Sequence, residues 1–96
     1  MTVILFENIS RKLELQVETV SGETMRGQLL LTRISRENWD FILHGTGLTS
    51  GQDHRFALSS IREIIDLESG ENVDLAEFRT ELESHPPAGR NGAARQ

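Results

Sequence analysis

Apolar residues in the first two thirds of this chain recur mostly at every second position. Leu13, Leu15 and Val17 alternate with Glu14, Gln16 and Glu18, the period of a strand with one buried face. Ser21-Gly22 follows as a turn signal, because glycine reaches positive φ without steric cost. From about Thr24 to Thr32, Met25, Gly27, Leu29 and Leu31 share one face, and Arg26, Gln28, Leu30 and Thr32 share the other. Gly27 inside this run predicts a sharp bend or the close approach of another strand. Residues Arg33 to Asn38 read as a polar loop. Trp39, Phe41 and Leu43 then mark one side of a strand running to His44. Three glycines between Gly45 and Gly51 predict an exposed hairpin loop. Arg55 to Leu58 and Ile61 to Leu67 read as two further strands, joined through Ser59-Ser60. Residues 2–9 are apolar, but over so short a stretch strand and helix stay equally open.

The period changes after Leu67. Leu75, Phe78 and Leu82 recur at spacings of three and four, which predicts a helix over about residues 74–83, capped by Asn72 or Asp74. From Ser84 the chain holds Pro86-Pro87 and no large apolar residue, and disorder is expected to residue 96. The pattern therefore predicts a mainly β protein: one domain over residues 1–83, built as a small, five-stranded, bent antiparallel barrel with a short C-terminal helix.

Charge sharpens the picture. The 96 residues carry a formal charge of −5, but unevenly. Residues 1–62 hold seven acidic and seven basic side chains, whereas residues 63–83 hold eight acidic and one basic, Arg79. The basic excess that phosphate binding draws on is missing, so RNA binding is disfavoured. The acidic run reads as a solvated edge and helix face, or as a surface for a basic partner. There is no cysteine, which removes disulfides and thiolate metal sites and fits a reducing compartment. No signal peptide or membrane-spanning stretch is visible, and a soluble, cytoplasmic protein is expected.

These strands resemble the Sm-like fold. The resemblance covers about residues 10–66 and is carried by the strand ending at Gly22, by Gly27 with Leu29, and by Leu58-Ser-Ser-Ile61, where the short second Sm motif would lie. It implies a non-catalytic binding or assembly module that forms homo-oligomers. Subunits would join where Arg55–Leu58 meets Ile61–Leu67, with Phe56, Leu58, Ile61 and Ile64 at the junction. The RNA-binding branch, which includes bacterial riboregulators and archaeal Sm proteins, is one form of the family. It places an aspartate six residues after the strand glycine, where this chain has Arg33. It also places a base-stacking residue where this chain has Glu37, and a basic pair where this chain has Ser59-Ser60. The Rho-binding antiterminator (Rof-like) branch consists of small acidic proteins that bind a protein partner, and it is nearer in character. A regulatory protein partner is thus the leading expectation, and riboregulator-type RNA binding the alternative.

Candidate partner-binding residues are Arg33, Arg36, Asn38, Trp39 and Arg55. The three arginines suit phosphate or an acidic partner, but such charges are more often solvated and paired, here with Glu37, Asp40 and Asp53. Trp39 is either a hot spot or, as its alignment with Phe41 and Leu43 predicts, a partly buried strand residue. His44, Asp53 and His54 flank the glycine-rich loop, but their spacing matches no metal site. No nucleophile elbow, phosphate loop or metalloprotease motif is present. Neither catalysis, a cofactor nor a metal is expected.

Overall fold

A computed structural model describes residues 2–84. It is mainly β, with six antiparallel strands in one open sheet and one short C-terminal helix. In chain order the strands are β1 (Thr2–Phe6), β2 (Arg11–Glu18), β3 (Thr24–Glu37), β4 (Asp40–Gly47), β5 (Asp53–Ala57) and β6 (Ile61–Asp66), and the helix is α1 (Leu75–Ser84). A single 3-10 turn, Leu58–Ser60, separates β5 from β6. The sheet order is β5-β4-β3-β2-β6, and β1 pairs with the second half of β3. The expected five strands become six because residues 2–6 form a strand.

β3 is the spine of the sheet. Its first half pairs with β2, from Glu18 opposite Thr24 to Arg11 opposite Leu31, and its second half pairs with β1. β4 runs along its other side from Gly47 opposite Leu29 to Asp40 opposite Glu37. The register shifts once, between Leu31 and Arg33. An added residue reverses the side-chain alternation. Before the shift Leu29 and Leu31 face the core; after it Ile34 does, and Arg33, Ser35 and Glu37 face away. Arg33 to Glu37 is therefore strand and not a polar loop.

No close approach of another strand requires Gly27. β2 pairs with β3 without a break through Leu15 opposite Gly27, and a Cβ on Gly27 would meet nothing within 4 Å. Gly45 is the glycine that close packing requires. A Cβ there would lie 2.3 Å from the Leu30 carbonyl oxygen and 2.8 Å from Leu29 Cγ.

Leu5, Leu13, Leu15, Leu29, Leu31, Ile34, Phe41, Leu43, Leu58, Ile61, Ile64 and Leu82 form a single buried cluster. β1, β2, β3, β4 and β6 contribute to it, and Phe56 of β5 packs against it half-buried. The helix follows from its apolar stripe and its cap. Asp74 Oδ1 accepts hydrogen bonds from the N–H groups of Ala76 and Glu77, and Leu75, Phe78 and Leu82 face the core cluster. Ser84, where the expected tail would begin, is helical, and the rest of that tail lies outside the described residues. Among the described residues no helix is long and apolar enough to cross a membrane.

Candidate functional site

β3 and β4 are joined by Asn38 and Trp39 alone, with Glu37 opposite Asp40. Asn38 adopts φ 58°, a left-handed conformation that asparagine tolerates better than most residues. The tight turn lifts Trp39 off the sheet, leaving the side chain 96% exposed. The strand alignment with Phe41 and Leu43 predicted partial burial; β4 instead begins one residue later, at Asp40, and Trp39 belongs to the turn. The signal for this lay in Glu-Asn-Trp-Asp, since asparagine in a two-residue connection is itself a hairpin signature.

Asp40 holds the base of the turn. Its carboxylate accepts hydrogen bonds from the Phe41 N–H at 2.8 Å, the Ser59 hydroxyl at 2.5 Å and the Ser59 N–H at 3.3 Å. Arg79 of α1 approaches it at 3.6 Å and also lies over the Phe41 ring, 5.6 Å from its centroid. Partial burial works against the Asp40 charge, but the bonds from Ser59 and the Phe41 N–H, with Arg79 nearby, hold its pKa below the ordinary value. One carboxylate thus ties together the β3–β4 turn, the 3-10 turn and the helix. Trp39 therefore stands in water on a hydrogen-bonded base.

The three candidate arginines do not form one patch. Arg33, His44 and Arg55 sit directly opposite one another across β3, β4 and β5 on a single face. Strand alternation puts Arg36, opposite Phe41, on the other face. Arg55 is paired with Glu37 at 2.5 Å. Neither Arg33 nor Arg36 has a carboxylate partner among the described residues. Arg33 donates to His44 Nδ1 at 3.4 Å, so the ring proton sits on Nε2 and is donated to the buried Ser35 hydroxyl at 2.8 Å. Burial first, and then the neighbouring Arg33 and Arg55 charges, push the His44 pKa down, with Glu37 opposing. The row opens on a cleft of about 560 Å³, which Glu7 and Asp53 also line. Charges of both signs therefore meet there.

His44, Asp53 and His54 share that cleft, but among the described residues no group of three metal-ligating side chains comes together. Of the residues expected at a subunit junction, Leu58, Ile61 and Ile64 are buried in the chain's own core, whereas Phe56 is half-buried and stacks on His54 at 5.8 Å between ring centroids. Phe56 also lines an apolar groove of about 350 Å³ with Leu15, Met25 and Leu29. Met25, which shares a strand face with the buried Leu29 and Leu31, is 62% exposed. In the acidic segment, Asp66 pairs with Arg11, Glu63 with Arg26, and Asp74 caps the helix. Comparison with known proteins finds no matching family model, no matching curated protein and no matching solved structure.

Proposed function

We propose that this chain is an Sm-like, small-barrel binding and assembly module that captures a protein partner in a regulatory role, in the manner of the Rho-binding antiterminator branch. The strand order β6-β2-β3-β4-β5, with one 3-10 turn between β5 and β6, supports the Sm-like reading, as does the adjacency of the β3–β4 turn and that 3-10 turn through Asp40. On this reading residues 1–83 act as one domain in the cytoplasm, with no catalytic role and no cofactor.

Trp39 carries the partner-binding reading. A tryptophan left fully in water at a fixed turn tip contributes nothing to the chain's own core, and tryptophan is the residue most enriched among binding hot spots. Asn38 beside it adds hydrogen-bonding capacity, and Arg33 and Arg55 extend the surface along the neighbouring face. A protein partner fits better than RNA, because the chain carries a formal charge of −5 and lacks the basic excess that phosphate binding draws on.

The test compares proteins captured from the source cells by the native chain and by Trp39→Ala. A partner retained by the native chain and lost with the variant supports the reading. Salt-sensitive binding of uridine-rich or adenine-rich RNA at low ionic strength, with no captured protein, would replace it with the RNA-binding alternative.

A further inference from the structure

We propose that the outer edge of β5 is a homodimer interface, where a second copy of this chain pairs antiparallel in a register centred on His54. This rests on the assembly part of the reading above and is independent of partner capture through Trp39.

The first argument is which edges stay open. The sheet path ends at β5 and β6. The outer side of the second half of β6, residues 64–66, is already covered by the chain itself. After Asp66 the backbone turns back through Gly70, at φ 78°, and residues 71–73 run antiparallel to residues 64–66. The Val73 N–H donates to the Ile64 carbonyl at 2.8 Å, the Asp66 N–H donates to the Glu71 carbonyl at 2.9 Å, and Ile65 bridges Asn72. A ring built by joining β5 of one copy to β6 of the next would have to displace this segment. β1, which also has a single partner strand, is interrupted by a register shift between Ile4 and Phe6. β5 pairs without interruption, and among the described residues only with β4. One continuous open edge admits an isologous pair and then stops.

The second argument selects the register that sets opposite charges against each other. The Gly47 N–H donates to the Gln52 carbonyl at 2.9 Å, which makes that pair a hydrogen-bonded one. Hydrogen-bonded and non-bonded pairs alternate in an antiparallel ladder. His54 and Phe56 therefore turn their backbone groups towards β4, while Asp53, Arg55 and Ala57 turn theirs outwards. Two copies must match outward groups to outward groups, so the twofold axis falls on a residue and not between residues. Centred on Asp53, the axis sets aspartate opposite aspartate. Centred on Arg55, it sets arginine opposite arginine. Centred on His54, it sets each Asp53 opposite the other copy's Arg55, twice over, and like charges directly opposite are avoided. Both side chains are exposed and available: Arg55 is 58% exposed even with its Glu37 bond, and its guanidinium has donors for a second carboxylate. On the opposite face the two His54 rings meet beside the Phe56–Met25 groove.

Sedimentation equilibrium of the full chain tests this, together with oxidative cross-linking. The native chain is expected as a monomer–dimer equilibrium with nothing larger. Asp53→Arg places like charges opposite at two symmetric positions and should weaken the dimer about tenfold or more. Arg55→Asp should do the same, and the double variant should recover it. His54→Cys supplies the only cysteine, at a non-bonded pair whose Cα separation of about 4.5 Å suits a disulfide. It should give a linked dimer, and Val20→Cys, equally unprotected but on the β2–β3 turn and not on β5, should not. A ring of three or more copies overturns the interface while leaving assembly standing. A monomer at every concentration overturns both, and neither result touches Trp39-dependent capture. Failure of the charge swap to rescue, or equal linking at residues 54 and 20, also overturns the proposal.

Discussion

Replacing Gly45 and Gly27 each by alanine is the same chemical change, and the structure predicts opposite outcomes. At Gly45 the new methyl carbon would sit 2.3 Å from the Leu30 carbonyl oxygen and 2.8 Å from Leu29 Cγ. The first is backbone of the neighbouring strand, so relief requires separating β3 from β4 in the centre of the sheet. Overpacking costs about 1–3 kcal/mol, and the rigidity of the clashing atom puts this case near about 3 kcal/mol. At Gly27 the methyl meets nothing within 4 Å and the backbone has no positive φ. Restricting the unfolded chain there should stabilise the fold by about 0.4–1 kcal/mol. The two variants should thus differ by roughly 3–4 kcal/mol, or about 2–2.7 M in urea midpoint for a slope near 1.5 kcal/mol per molar. Urea titrations followed by far-ultraviolet circular dichroism measure this directly, since an exposed Trp39 makes fluorescence a poor reporter of unfolding. If Gly27→Ala proves as damaging as Gly45→Ala, the open space at Gly27 and the close packing at Gly45 are wrong.

Leu82→Ala should cost about 2–5 kcal/mol by the same titration, because this 1% exposed side chain anchors α1 to the core. His44 should titrate below an ordinary histidine by nuclear magnetic resonance, and Arg33→Ala should raise its midpoint. Since folding lowers the His44 pKa, the unfolded chain takes up the proton first. Its contribution to stability is full above roughly pH 6.5 and is lost as the pH falls towards the folded pKa; a contribution from His44 that rises on acidification through this range would contradict its lowered pKa.

The strands that alternate cleanly were legible from residue types alone. Leu13-x-Leu-x-Val17, the turn at Gly22 and the helix from its Asp74 cap all appear where the pattern put them. The second half of β3 did not, for a definite reason. The register shift after Leu31 moves Ile34 into the core and turns Arg33 and Glu37 outwards, so the alternation changes phase and reads as a polar loop. That error displaced the next turn and buried Trp39 on paper. The fold-back of residues 71–73 onto β6 leaves no periodic trace at all, because it is a backbone pairing between Glu71, Asn72 and Val73 and the strand before them. Of the candidate site, the arginines and Trp39 could be named from the sequence, but their division between two faces needed the register.

The central claim is that the exposed tryptophan on its pinned turn is a protein-binding hot spot. Quantitative affinity capture from the source cells, after nuclease treatment, with the native chain and Trp39→Ala side by side, tests it most directly. The account predicts a protein held by the native chain and lost with the variant, while both chains show the same circular dichroism and urea midpoint within about 0.5 kcal/mol, as expected of an exposed position. The same proteins captured equally by both chains would contradict it.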